Sequence, residues 1–178
     1  MTLPIAAAVA QAVVDKIQAS ALEHDFTPER SYADWELKLE NMDLLDLRDI
    51  DKLHVDVVAH TTQQQQDVSA RGMARFIQPV DIAVRRKFGQ DKQKEDTGRI
   101  KIEEIDALVL LVQQLCLMFT QVLLDVTDYP GAVWDSENGG TSILYNPDQK
   151  TLREKRQFTG LIRIFFRVDA PLNVSSSN

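Results

Sequence analysis

The sequence predicts an α+β fold: a mostly antiparallel sheet of about four to five strands packed against an N-terminal helix and one long helix. Three observations predict it. Strand-type segments follow one another between Tyr32 and Lys87 with no helical pattern between them, which favours antiparallel pairing over a βαβ order. Helical spacing of apolar residues appears twice, near the N-terminus and again from Ile102. The strongest strand pattern, Phe158 to Val168, comes after the second helix.

Pro4 suits the first turn of a helix, where its missing N–H would be unpaired anyway. Ile5, Val9, Ala12, Val13 and Ile17 then fall on one face, so the first helix runs from about Pro4 to Leu22. Its apolar stripe is narrow and alanine-rich, fit for close packing on a sheet. Phe26-Thr27-Pro28 breaks it. Trp35, Leu37 and Leu39 alternate with Asp34, Glu36, Lys38 and Glu40, the mark of a strand with one buried face. Asp43 to Lys52 reads as an acidic connector. Leu53 to His60 alternates again and is a strand. Thr61 to Arg75, with Gln63 to Gln66, carries no apolar face and reads as an exposed hairpin arm or a loop.

Phe76 to Lys87 is the next strand, where Pro79 removes a ladder donor and favours an edge or a bulge. Gly89 to Gly98 is a charged turn. The second helix opens with Glu103 and Glu104, placed where the helix dipole favours negative charge. Ile105, Leu108, Val109, Val112, Leu115, Met118, Phe119 and Val122 form its broad apolar face, and Tyr129-Pro130-Gly131 ends it, for a length of about 35 Å. Asn138-Gly139-Gly140 signals a turn. In the last strand Gly160, Ile162, Ile164, Phe166 and Val168 share one face. Thr159, Leu161, Arg163, Phe165 and Arg167 share the other, half-polar one, which suits a central strand.

The 178 residues fit one domain, read as 1–170 with a flexible tail at 171–178. With a single cysteine, Cys116, there is no intrachain disulfide, and its apolar neighbours make it a small buried hydrophobe. The N-terminus lacks the positive start of a signal peptide, and Gln113, Gln114 and Gln121 interrupt the most apolar stretch, so no membrane partner is expected. A formal charge of −7 argues against a binder that neutralises phosphates.

No phosphate-binding glycine loop, nucleophile elbow or Cys-x-x-Cys is present, so no catalytic residue, cofactor or metal is expected. His54, Asp56 and His60 share a strand face, but His60 lies about 20 Å from His54, and two ligands do not make a site. Asp34, Glu36 and Glu40 alternate with apolar residues as a solvated sheet face does, which is the simpler reading than acid–base work. Trp35 and Trp134 read as core or interface.

Several segments, taken in order, then carry a resemblance. They are the N-terminal helix, Glu29-Arg30-x-Tyr32, Leu53-x-Val55-x-Val57-Val58, Ile82-Ala83-Val84-Arg85-Arg86-Lys87, Glu104-Ile105-Asp106-Ala107-Leu108, Leu144-Tyr145-Asn146-Pro147, Leu152 and Phe158 to Arg167. Across roughly Pro4 to Val168 the pattern resembles the neck and tail-completion proteins of tailed bacteriophages, particularly tail terminators. The resemblance implies a non-enzymatic virion protein, made in the host bacterial cytoplasm. It would form a ring of copies of itself, usually six, on the last ring of the tail tube. The ring stops tube growth and docks to the head-completion or connector proteins, and DNA passes through its lumen without specific binding. An acidic total charge suits such a conduit.

A head-to-tail ring needs two complementary surfaces per subunit. The acidic connector, with Asp46 and Asp49, and the basic residues Arg85, Arg86, Arg153 and Arg156 are candidates to meet across it. Gln64, Gln66, Arg71 and Arg75 of the arm are candidates to reach a neighbour or the tube. A head-closure ring is the nearest alternative. An acidic regulatory or inhibitory protein is a further one, though the acids here are interspersed with lysine and arginine.

Overall fold

The structure, a computed structural model, describes residues 2–22, 25–32, 51–69, 72–89 and 100–171. In chain order the elements are α1 (Ile5–Gln18), β1 (Pro28–Tyr32), β2 (Leu53–Ala59), β3 (Gln63–Ser69), β4 (Met73–Lys87), α2 (Ile102–Met118), β5 (Leu123–Leu124), β6 (Ala132–Trp134), β7 (Thr141–Tyr145), α3 (Gln149–Lys155) and β8 (Gln157–Pro171). The character is α+β, but among the described residues the expected four to five strands are eight and the expected two helices are three. The sheet is also mixed, because β1 pairs parallel with β2 while the other pairings are antiparallel.

Two 15-residue strands form the spine. β4 and β8 pair in unbroken register from Met73↔Pro171 to Lys87↔Gln157. Pro171, expected in a frayed tail, is therefore the last residue of β8; residues 172–178 lie outside the described ones. Along the free edge of β4, β2 and β3 lie end to end, and along the free edge of β8, β7 and β6 do the same. The sheet thus has two tiers. One reads β1-β2-β4-β8-β7, and the other reads β3-β4-β8-β6-β5.

Pro79 sits inside β4, a central strand, rather than at an edge. It is tolerated because the ladder is interrupted beside it: β2 ends at Ala59↔Val80 and β3 begins at Gln63↔Ile77. The Pro79 carbonyl accepts from His60 N at 3.1 Å, so the position of its missing N–H faces that same gap. The fully buried Gln78 closes the gap. Its Nε2 donates to the His60 and Pro79 carbonyls at 2.8 Å each, and its Oε1 accepts from the Thr62 hydroxyl. The segment expected as a hairpin arm or a loop does form a hairpin, β3 folded back on the start of β4, but its β4 half also pairs with β8 and so belongs to the sheet.

One sheet face holds the core. Val55, Val57 and Ala59 of β2, Val80, Ile82 and Val84 of β4, and Phe158, Ile162, Ile164, Phe166 and Val168 of β8 are all buried there. α1 covers the β1–β2 side with Ala8, Val9, Ala12, Val13 and Ile17, and α2 covers β8 and β7 with Leu108, Leu111, Val112 and Leu115. Gly160 is where α2 comes closest, since a Cβ there would collide with the Val112 side chain.

α2 ends at Met118, well before the expected Tyr129, and at 17 residues it spans about 25 Å. Gln121 at φ 56 turns the chain, and the apolar residues that follow enter β5 rather than a further helical turn. α1 is likewise shorter than expected, ending at Gln18. The strand expected around Trp35 to Leu39 lies outside the described residues.

Candidate functional site

Of the ten residues singled out from the sequence, Asp46, Asp49 and Arg71 lie outside the described residues. The others fall at two opposite ends of the sheet. Gln64 is exposed on β3, with Gln66 on the same strand, and both lie near the β4 start with Arg75. Arg75 Nε donates to Asp169 Oδ1 across the β4–β8 pair at 3.0 Å; that hydrogen bond and the nearby Asp169 charge raise its pKa. Arg85 and Arg86 sit ten or more residues along the same strand, about 33 Å away.

The β4–β8 register brings the two basic runs together. Arg86 is paired with Phe158 and Lys87 with Gln157, and Phe88 N donates to the Arg156 carbonyl at 2.9 Å. Arg156, the left-handed C-cap of α3, donates from Nη2 to the Gly89 carbonyl at 3.2 Å. Arg86 lies over the Phe88 ring at 5.3 Å, and Arg153 is exposed on α3.

Arg85 has an acidic partner inside the chain that was not among the expected ones, Asp56 of β2. Arg85 donates from Nε and Nη2 to Asp56 Oδ2 at 3.1 and 2.6 Å, with both side chains largely buried. Asp51 N donates to the Lys87 carbonyl, and Gly89 N donates to Asp51 Oδ1.

The sheet face turned away from the helices carries a second ion-pair cluster. Arg163 grips Asp81 with two parallel bonds of 2.8 Å, from Nε to Oδ1 and from Nη2 to Oδ2. His60 Nε2 lies 2.8 Å from Asp81 Oδ2 but lacks the alignment of a hydrogen bond. Burial disfavours the Asp81 carboxylate, yet the Arg163 fork, helped by His60, overcomes it and holds the pKa below the usual carboxylate value. The same pairing raises Arg163. Ala83 and Leu161 form a small buried apolar pair on this face.

Two of these pairs involve residues weighed for metal binding. Asp56 belongs to Arg85 and His60 to Asp81, so His54, Asp56 and His60 form no joint site. Among the described residues no group of three His, Cys, Asp or Glu could hold a metal ion. Nor, among them, is any helix long and apolar enough to cross a membrane. Cys116 is half-buried against the core, and burial pushes its thiol pKa up, away from reactivity. Asp34, Glu36, Glu40 and Trp35 lie outside the described residues. Trp134 packs against the core and donates from Nε1 to Thr141 Oγ1 at 2.8 Å.

The feature that sequence reading missed is apolar. On β7, Ile143, Leu144 and Tyr145 are 39–45% exposed; separately, on the side of α2 turned away from the sheet, Leu110 and Leu117 are exposed, the latter 74%. Thr141 Oγ1 donates to the Phe119 carbonyl at 2.8 Å and Asn146 Nδ2 to the Val109 carbonyl at 3.2 Å, so α2 and β7 run side by side in opposite directions. The turn at Asn138-Gly139-Gly140 followed by a Thr-Ser-Ile-Leu-Tyr run was the available signal for β7.

No protein-family model matches the chain, and no curated protein matches it.

Proposed function

We propose that this chain is a structural virion protein of a tailed phage, a tail terminator that works by assembly rather than catalysis. It forms a ring of copies, six by resemblance, at the head-proximal end of the tail tube, where it stops tube growth and joins the tail to the head-completion proteins. The observation that carries this reading is the exposed apolar strand β7. A strand with no charged residue and three exposed apolar side chains in a row is a surface that soluble monomers avoid and that assembling subunits use.

The segment order that resembles neck proteins supplies the class. The sheet supplies the means, because its two sides offer different strand edges, as a head-to-tail ring requires. Electron microscopy of a lysate from phage lacking this gene tests it. The expected result is tailless heads beside tails of uncontrolled length. Tails of normal length beside emptied heads would move the protein to head closure, and normal infectious particles would overturn the virion reading.

A further inference from the structure

We propose that the outer edge of β7 is one half of a contact between copies of this chain, and that the occupant is the β1 edge of the next copy, added as an antiparallel strand. This rests on the assembly reading above and goes beyond it by naming the two edges.

The first argument is what β7 lacks. Thr141, Ser142, Ile143, Leu144 and Tyr145 include no charged residue and no proline, the usual guards of an edge strand. Among the described residues, β7 pairs only with β8, which leaves its other side free to accept a strand. The exposed Ile143 and Leu144 supply apolar area to a partner lying against that edge.

The second argument selects the occupant by direction and length. β1 runs with β2, and β2 runs against β4. β7 runs against β8, which itself runs against β4, so β7 points opposite to β1. Both are five residues long, and among the described residues they close the two ends of the same tier. A copy displaced sideways along that tier therefore brings its β1 antiparallel to β7 and continues the sheet. The other tier ends in β5 and β3, which point the same way and have two and seven residues. That pair would meet parallel and mismatched, the weaker ladder.

The test is chemical cross-linking of the full chain. Cys116→Ser removes the sole cysteine, and Glu29→Cys with Ser142→Cys places one thiol on each edge, both on the sheet face away from the helices. Within one chain these positions are four strand spacings apart, about 19 Å, beyond the reach of a short bis-maleimide linker. The expected product is a ladder of covalent multimers. Adding Ile143→Lys and Leu144→Lys should suppress the ladder at least tenfold while circular dichroism stays native.

A ladder unaffected by the lysines overturns the contact, and so does its absence from folded protein at the highest soluble concentration. The ring reading is judged separately. If the protein sediments as an oligomer but gives no ladder, the edges are wrong and the ring stands. If the ladder forms but phage lacking the gene are normal, the contact stands and the virion role falls.

Discussion

Asp81 shows how a charge survives inside this sheet. Its side chain is only 5% exposed, so an unpaired carboxylate there would be costly. The two-pronged Arg163 contact and the nearby His60 satisfy both of its oxygens. Because both partners remain about a quarter to a third exposed, the pair is worth less than a fully buried one. Asp81→Ala should cost about 2 kcal/mol at neutral pH, chiefly by stranding Arg163.

The sign with pH follows from the lowered pKa. The native carboxyl binds its proton less readily than the unfolded one, whose value is about 3.9. Its stabilisation is thus complete above the unfolded value and fades as the pH falls through the native value. Urea unfolding at pH 7 and pH 3 should show the variant losing less stability to acid than the parent protein. Equal acid sensitivity would mean that Asp81 is not a stabilising charge.

At the scale of elements, Gly160 decides how closely α2 can lie on β8. Its backbone is not in the left-handed region, so the requirement is space: a Cβ would strike Val112. Gly160→Ala should cost about 1–3 kcal/mol by overpacking. Val112→Ala, destabilising alone, should recover part of that loss in the double variant, and a thermodynamic cycle measured by urea unfolding reads the coupling. Strict additivity would show that the two residues do not meet.

The same elements show what local sequence can carry. β8 was legible because from Ile162 onward burial alternates with residue number, and α2 was legible because Leu108, Val112 and Leu115 repeat at helical spacing. The end of α2 was not legible, since Val122, Leu124 and Val126 prolong its apolar run into β5. Strands of two or three residues, such as β5 and β6, are too short to display a period at all. The parallel placement of β1 is a long-range choice that no local pattern encodes. The basic runs at Arg85 to Lys87 and Arg153 to Arg156 were visible as clusters. Their meeting required the β4–β8 register, and the partner of Arg85 required the β2–β4 register, Asp56 lying two positions diagonally from Arg85's own partner, His54.

For the whole molecule, the spine sets the order in which protection is lost. Over Val80 to Val84 and Leu161 to Ile164 each central strand has a neighbour on both sides, and its inner side chains lie under a helix. Opening those amides requires parting the entire β1-β2-β4-β8-β7 tier, so their hydrogen exchange should be the slowest and should approach global unfolding. β7 should behave differently on its two sides. Successive residues of an edge strand direct their N–H groups alternately toward the sheet and away from it. In the dilute subunit the amides bonded to β8 should therefore be protected, while those facing outward exchange at nearly the rate of an open chain. Raising the protein concentration until copies assemble should slow the outward set on β7 and the outward amides of β1 together, leaving β5 unchanged. Slowing at β5 and β3 instead would place the contact on the other tier, and no change at either would deny that strand addition joins the copies.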